Sequence, residues 1–171
     1  EEVTLSMYPM DIELMFSRTP FLADGESGFA VIRPAFRRTL AVEEDGERQI
    51  LDLPADVASA NVMVEISGRG QQASLAWLAN DLQVRKMESF GQVEVRQAET
   101  GNPLPKTYVK VFARDPSGNV SFWKDGYTDL RGRFDYLSLN NRKPEDASEL
   151  SILVLHPDHG AEILRAEPPV R

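Results

Sequence analysis

The amino-acid sequence predicts an all-β protein made of two small β-sandwiches in tandem. Short segments in which apolar and polar residues alternate recur at intervals of roughly 8–12 residues, a spacing typical of strands in sandwiches. Nearly every segment ends in a cluster of Gly, Pro, Asn or Asp, the residues that tight turns favour. The length of 171 residues leaves each sandwich about 80–90 residues, a size that can fold alone.

The first half of the chain is predicted to consist mainly of strands. The clearest strand is 61–67, in which every second residue is apolar. An acidic run with one Gly at 43–47 is typical of a hairpin turn, and 55–60 is predicted to form a single helical turn. The other strands predicted in this half are 3–7, 12–17, 29–32, 36–42 and 49–53.

Residues 72–89 allow two interpretations. Leu75, Leu78 and Leu82 have helical spacing, and Ala and Leu favour helix. The same segment also fits two short strands interrupted at Asn80–Asp81. Because the neighbouring segments are all strand-like with short turns, the sequence favours the two strands.

A domain boundary is predicted between Ser89 and Gly91, which divides the chain into domains 1–90 and 91–171. The turn residues at Phe90-Gly91 and a change in charge density both fall at this place. The second domain is predicted to contain strands at 92–96, 108–113, 120–123, 134–136, 151–155 and 161–164.

Five residues of the second domain are predicted to fix its turns and core. Gly101 tolerates a positive φ and Pro103 cannot donate to a ladder, so together they end a strand. Asp129 is predicted to bond its own backbone as an Asx turn. Gly132 is predicted to take a positive φ, since it has no Cβ to clash. Phe134 alternates with polar neighbours and is expected to point into the core.

These residues carry a resemblance to a known family. The segments TGNPLP at 100–105, VKVFA at 109–113 and TDLRGRF at 128–134 resemble the carboxypeptidase regulatory-like domain. That resemblance implies a Greek-key sandwich of the transthyretin (prealbumin) type over residues ~91–166. The sequence departs from the family at 140–146, where a polar loop replaces the usual Pro-Gly-x-Tyr turn.

The wider chain also resembles known modules. Residues 1–90 resemble, more weakly, the immunoglobulin-like domains that precede such sandwiches in large bacterial surface and secreted proteins. The whole chain therefore resembles the terminal part of such a multidomain protein. This resemblance implies an extracellular, cell-surface or periplasmic location. A chain that begins at Glu1 without Met is expected to be a processed form or a fragment.

Charge and composition exclude some partner classes. The formal net charge is −8, and the chain has no Cys. Residues 1–90 hold 8 Lys and Arg against 15 Asp and Glu, a net −7, and residues 91–171 hold 11 against 12, a net −1. The absence of a basic stripe argues against nucleic acid and against anionic membrane surfaces. No apolar run reaches ~18 residues, so membrane insertion is not expected.

The sequence predicts neither a metal site nor a cofactor. His156 and His159 are the two histidines of the chain, and Pro157 and Gly160 indicate that they lie on a hairpin turn. No third imidazole is present for a zinc site of three histidines. Four aspartates surround two turns without the spacing of a calcium loop. An anion site is a further alternative, formed by Lys124, Arg131, Arg133, Arg142 and Lys143.

Aromatic side chains are the main candidates for ligand contact. Trp123 with Tyr127, and separately Trp77, have the ring faces that stack on sugars. Aromatic residues at the end of a strand more often complete a core or an interface. Trp123 and Tyr127 are therefore candidate carbohydrate contacts, with a core position as the alternative.

Catalytic motifs are missing from the sequence, so no enzyme activity is expected. No G-x-S-x-G, Walker A, G-x-G-x-x-G or H-E-x-x-H pattern occurs. The preferred function is a non-catalytic structural or interaction module of a larger secreted or cell-surface protein. Its partners would be other domains of the parent protein or other proteins. The alternative is a carbohydrate-binding module that uses the exposed aromatic residues.

Overall fold

A computed structural model describes residues 2–21, 34–41, 50–58, 60–137 and 146–168. The predicted strand at 29–32, the acidic turn at 43–47 and most of the polar loop at 140–146 lie outside these ranges. The chain divides into two compact units, Glu1–Ala79 and Asn80–Arg171. Antiparallel strands make up most of the regular structure of both units, which confirms the predicted all-β class.

The first unit is built on one antiparallel sheet of four strands with the order β2-β1-β3-β4. Leu5, Met7 and Val62 lie on one face of this sheet and form a core with Val57. Two short helices accompany the sheet. The elements of this unit are β1 (Glu2–Pro9), α1 (Ile12–Arg18), β2 (Phe36–Ala41), α2 (Ala55–Ala58), β3 (Val62–Gly68) and β4 (Gln71–Trp77).

The strand predicted at 12–17 is a helix, and that prediction is wrong. The Oδ1 atom of Asp11 accepts a hydrogen bond from the backbone N–H of Leu14 at 3.0 Å and caps the first turn. Ile12, Met15 and Phe16 are buried, which is helical spacing. Leu14 is 50% exposed, although strand alternation would place it beside Ile12 and Phe16. Three alternating apolar residues were too short a pattern to exclude the helix.

The strand predicted at 49–53 is also absent from the part of this segment that the structure describes. Residues 50–54 have no regular structure, yet Leu51 and Leu53 pack against the core of the first unit. The predicted helical turn at 55–60 is confirmed as α2, whose Val57 N–H donates to the carbonyl of Pro54. Apolar packing therefore holds this segment without ladder hydrogen bonds.

The ambiguous segment at 72–89 forms strands, as the sequence favoured. It contains most of β4, then β5 (Leu82–Met87) and a 3₁₀ turn at Glu88–Phe90. Strand β5 pairs with β6 (Gln92–Gln97), and Gly91 joins them at φ 61°. The turn at 88–91 is thus a hairpin connection inside the second unit. The division at Ala79–Asn80 lies earlier than the predicted boundary for this reason.

The second unit has two sheets, with strand orders β11-β10-β7-β8 and β5-β6-β9. Alternate residues of both sheets enter one core, which includes Val95, Val111, Ile152 and Phe134. No helix in the described ranges is long and apolar enough to cross a membrane. The remaining strands are β7 (Tyr108–Arg114), β8 (Val120–Tyr127), β9 (Arg133–Asp135), β10 (Glu149–His156) and β11 (Gly160–Ala166).

Candidate interaction surface

The sheet β11-β10-β7-β8 carries large apolar residues on both of its faces. On β7, Val109, Val111 and Ala113 point into the core of the second unit. The alternate residues Tyr108 and Phe112 therefore lie on the opposite, outer face. A sheet face that carries large apolar residues away from the core is suited to bind another molecule.

Four aromatic side chains form two cross-strand pairs on this outer face. The rings of Tyr108 and Tyr127 lie 5.4 Å apart between centroids, and those of Phe112 and Phe122 lie 5.8 Å apart in an edge-to-face arrangement. Such distances and angles are favourable for aromatic pairs. We call this group of Tyr108, Phe112, Phe122 and Tyr127 the aromatic face.

The aromatic face is accessible on β8, whereas the central strand β10 is buried on the same side of the sheet. Tyr127 is 66% exposed and Phe122 is 44% exposed. By register, Leu153 of the central strand β10 lies on the same side of the sheet, and it is fully buried. Because buried neighbours and paired strands limit side-chain motion, the aromatic rings are held before any partner arrives.

Charged groups interrupt and border the aromatic face. The hydroxyl of Tyr108 donates to Oδ2 of Asp125 at 2.8 Å, which fixes the tyrosine ring. At the other end of β7, Arg114 pairs with Glu149 at 3.1 Å, and Arg165 lies 4.0 Å from the same carboxylate. By register, Lys110 and Asp125 lie between the two aromatic pairs. The surface therefore combines aromatic and charged side chains, and aromatic residues and Arg are enriched in protein–protein interfaces.

Trp123 and Tyr127 were predicted as a joint ligand contact, and the structure separates them. Trp123 is only 6% exposed, and its Nε1–H donates to the carbonyl of Tyr136 at 2.9 Å inside the core. A bulge separates the two residues, because Val111 pairs with Lys124 and Phe112 with Phe122, which leaves Trp123 unpaired between them. Strict alternation would have placed Trp123 and Tyr127 on the same face of the sheet. Trp123 as a ligand contact is therefore wrong, whereas Tyr127 lies on the aromatic face.

The structure places Gly101 and Pro103 together at the end of β6. Gly101 has a φ of 70°, and its carbonyl accepts a hydrogen bond from Arg96 at 2.8 Å. Pro103 forms an isolated bridge with Arg96. These residues end the strand and turn the chain, and they contribute no side-chain group to the aromatic face.

Asp129, Gly132 and Phe134 form the second structural group. Oδ1 of Asp129 accepts backbone N–H bonds at 2.8 and 2.9 Å, and the bond from Arg133 is the main reason that the pKa of this carboxyl is lowered. Gly132 has a φ of 73°. Phe134 is buried in the core. None of the three residues belongs to the aromatic face.

The two histidines lie at the β10–β11 turn. Their rings are 4.6 Å apart, and Nδ1 of His159 lies 2.8 Å from Oδ1 of Asp81. Burial and the neighbouring His159 lower the pKa of His156. No group of three His, Cys, Asp or Glu residues in the described part of the chain could hold a metal ion.

The basic residues considered for an anion site are engaged elsewhere. Lys124 donates to the carbonyl of Asp135, and Arg133 donates to the carboxylate of Glu94. Glu94 is buried, and its hydrogen bond from Arg96 is the main cause of its lowered pKa. Of the remaining candidates, Arg131 is exposed on the turn that follows Asp129, and Arg142 and Lys143 lie outside the described residues.

Sequence reasoning missed three of the four residues of the aromatic face, namely Tyr108, Phe112 and Phe122. A signal was present, because β7 has large apolar residues at both the odd and the even positions. Such a strand is apolar on both sides, so one side must face something other than its own core.

Two family profiles match the chain. The AbpF seventh immunoglobulin-like domain matches residues 1–64, and the AbpF C-terminal domain matches residues 81–171. Among curated proteins, Actin-binding protein F of Dictyostelium discoideum is 33% identical over 168 residues, which is 98% of this chain. The match spans 7% of the length of that relative.

Solved structures of a different protein share the fold. A fragment of Escherichia coli alpha-2-macroglobulin spanning domains MG0-NIE-MG1 aligns with a TM-score of 0.55 at 13% identity, over 95% of this chain and 54% of that one. A shorter fragment, NIE-MG1, aligns with a TM-score of 0.53 at 13% identity, over 95% of this chain and 82% of that one. At this identity the likeness concerns the fold alone.

These matches confirm immunoglobulin-like β-sandwiches in tandem and correct other expectations. They do not confirm the resemblance to carboxypeptidase regulatory-like domains or to bacterial surface proteins. The predicted extracellular, cell-surface or periplasmic location is contradicted, because the curated relative is an actin-binding protein.

Proposed function

The chain belongs to the AbpF family of immunoglobulin-like and C-terminal domains, and we propose on that premise that it is a non-catalytic protein-interaction module of a large actin-associated protein. The observation that carries this proposal is the aromatic face. Its composition and border are those of a protein interface rather than of a reaction site.

The partner that we propose is the actin filament, in the cytoplasm. The name of the curated relative supports this partner, although the matched region is 7% of that relative's length. Aromatic side chains held by neighbouring strands supply binding energy at a small entropic cost, which suits them to act as interface anchors. Glycan binding has less support, because Trp123 is in the core and cannot stack on a sugar beside Tyr127.

Co-sedimentation with actin filaments tests this proposal directly. We expect the 171-residue chain to sediment with filaments and a Phe122→Ala/Tyr127→Ala variant to lose at least about tenfold in affinity. Phe90→Ala is the matched control, because Phe90 is an exposed aromatic residue outside the aromatic face. Circular dichroism of all three proteins establishes that the fold is retained.

Two results would reject the proposal. If the wild-type chain does not sediment with filaments, actin is not its partner. If Phe90→Ala weakens binding as much as the double variant does, the aromatic face is not the determinant.

We also propose that residues 80–171 form an independent folding unit. Leu82 belongs to the core of that unit, and β5 covers one side of β6. A fragment 80–171 should therefore unfold cooperatively in urea, whereas a fragment 91–171 should be less stable. Leu82→Ala alone should lower the free energy of unfolding by about 2–5 kcal/mol. Equal stability of the two fragments would place the boundary near residue 91 instead.

A further inference from the structure

The six sheet edges of the described residues differ in how they are protected. Natural sheets block unwanted pairing with charged side chains, bulges or very short edge strands. Five edges have such a feature: β2 has Arg37 and Arg38, β5 has Arg85 and Lys86, β8 has a bulge with Lys124 and Asp125, β9 is three residues long, and β11 has Glu162 and Arg165.

Strand β4, at the edge of the sheet in the first unit, has none of these features. Its sequence QQASLAW has no charge and no proline over seven residues. Its pairing with β3 runs through all seven positions without a bulge. Leu75 is 52% exposed and Trp77 is 41% exposed on this strand. An open edge with exposed apolar side chains is suited to accept another strand.

The hairpin geometry shows which backbone groups point outward from β4. Arg69 and Gly70 have φ values of 53° and 73°, so the β3–β4 hairpin has a two-residue turn of type I′. Residues that flank such a turn form a hydrogen-bonded pair, and pairs alternate from there. Ala73 and Leu75 therefore bond to β3, whereas Gln72, Ser74 and Ala76 direct their N–H and C=O groups to the open side.

Those outward groups have no described partner. No hydrogen bond within the described ranges involves the backbone of Gln72, Ser74 or Ala76. A ladder needs this row of alternating donors and acceptors over a few residues. Hence β4 presents a complete backbone template.

We propose that β4 binds an extended segment of a partner protein by strand addition, and that this segment is basic with apolar residues at alternate positions. Residues opposite Leu75 and Trp77 would share their face of the sheet, which requires apolar side chains there. The first unit holds 6 Lys and Arg against 13 Asp and Glu over residues 1–79, a net −7, so positive charges in the segment complement it. This site lies on a different unit from the aromatic face and is independent of the actin proposal.

A synthetic peptide of about eight residues that alternates Lys and Val is the probe, and the same peptide with Glu in place of Lys is its charge control. We expect the full chain to bind the Lys peptide at least about tenfold more tightly than the Glu peptide, as measured by fluorescence anisotropy. Strand addition should also slow amide hydrogen exchange at Gln72, Ser74 and Ala76 by about tenfold or more. Exchange at Ala73 and Leu75 should change little, because these amides already bond to β3.

Two leucine variants test the edge itself. Leu75→Lys introduces a cation on β4, and Leu14→Lys makes the same change on α1 at almost the same exposure, 50% against 52%. We expect the first to weaken binding of the Lys peptide by about tenfold and the second to have less than about a twofold effect. The matched charge change separates local repulsion from the loss of net charge.

Several results would overturn the proposal. Equal losses in the two variants would mean that net charge alone attracts the peptide. Uniform slowing of exchange along β4 would indicate stabilisation of the sheet and not strand addition. Concentration-dependent self-association that Leu75→Lys abolishes, without any peptide binding, would assign the edge to a second copy of the chain.

Discussion

Two turns of the second unit have the same local design and different surroundings. In each, an aspartate, Asp115 or Asp129, accepts hydrogen bonds on Oδ1 from the backbone N–H groups two and four residues later, at 2.8 and 2.9 Å. Each has a glycine three residues after the aspartate, Gly118 or Gly132, whose N–H donates to the aspartate carbonyl at 2.9 Å. Both glycines have positive φ, 88° and 73°.

Gly118 lies in open space, whereas Gly132 is tightly packed. A Cβ atom on Gly118 would have no other atom within 4 Å, whereas one on Gly132 would lie 2.3 Å from the carbonyl oxygen of Val95. That approach has a reason, because the N–H of Val95 donates to the carbonyl of Gly132 at 2.7 Å. The same local turn is therefore a surface hairpin in one place and part of the core ladder in the other.

The largest expected effect concerns the strands that follow the turns. Phe134 follows the Asp129 turn into the core, whereas Val120 follows the Asp115 turn and stays exposed. Phe134→Ala should lower the free energy of unfolding by about 3–5 kcal/mol, the usual cost of an aromatic residue deleted from a packed core. Val120→Ala is the control and should change it by less than about 0.5 kcal/mol. Urea denaturation of both variants measures the difference, and near-wild-type stability for Phe134→Ala would mean that this turn does not anchor the core.

Substitutions at the two glycines should differ in their effect on the free energy of unfolding, by less than the difference between Phe134→Ala and Val120→Ala. Gly118→Ala should lower the free energy of unfolding by about 1–2 kcal/mol, because the only penalty is that alanine disfavours a positive φ. Gly132→Ala should lower the free energy of unfolding by roughly 2–5 kcal/mol, because the added Cβ also clashes with the carbonyl oxygen of Val95. Thermal or urea unfolding of the two variants measures both. Equal losses would show that local conformation and not packing determines the role of Gly132.

The comparison shows what the sequence can and cannot predict. Both turns are visible in the sequence because Asp and Gly at fixed spacing have local reasons to be there. Their burial is not visible, since it depends on the strand that lies against Gly132. The same limit explains Trp123 and Tyr127, which a bulge places on opposite faces of the sheet.

Errors in the first unit have a related cause. The pattern at 12–17 was too short to distinguish helix from strand. The N-cap hydrogen bond of Asp11 stabilises the helix. The sequence of β7 indicates a second apolar face. The strand that pairs with β7 to complete the aromatic face, and the position of β4 at a sheet edge, could not be predicted, because both depend on the order of strands in a sheet. Strand order comes from long-range pairing that no local pattern encodes.

The smallest expected effect is a pH dependence that the two turns should share. The pKa of Asp115 is lowered, first by the side-chain hydrogen bond from Asn119 and then by its backbone N–H. The pKa of Asp129 is lowered mainly by the backbone N–H of Arg133. A carboxyl whose pKa is lower in the folded state stabilises the fold above its unfolded pKa of about 3.9. That contribution is lost as the pH falls through the folded pKa.

Asp129→Asn isolates this effect, because the amide oxygen can still accept both backbone hydrogen bonds while the charge is removed. Asp115→Asn removes the charge and also the acceptor of the Asn119 side-chain bond to Oδ2 at 2.9 Å. Each variant should be less stable than the wild type at about pH 7, and the deficit should shrink as the pH falls below about 4. Urea denaturation across that range measures the deficit. Oδ1 accepts the same pair of backbone bonds in the two turns, so both deficits should shrink over the same pH range even though Gly132 is packed and Gly118 is open. The deficit of Asp115→Asn at about pH 7 should be the larger, because Asp115 also accepts the Asn119 side-chain bond. A deficit that persists at low pH only for Asp129→Asn would mean that the packed turn depends on the shape of its side chain as well as on its charge, and the two turns would then differ in local design after all.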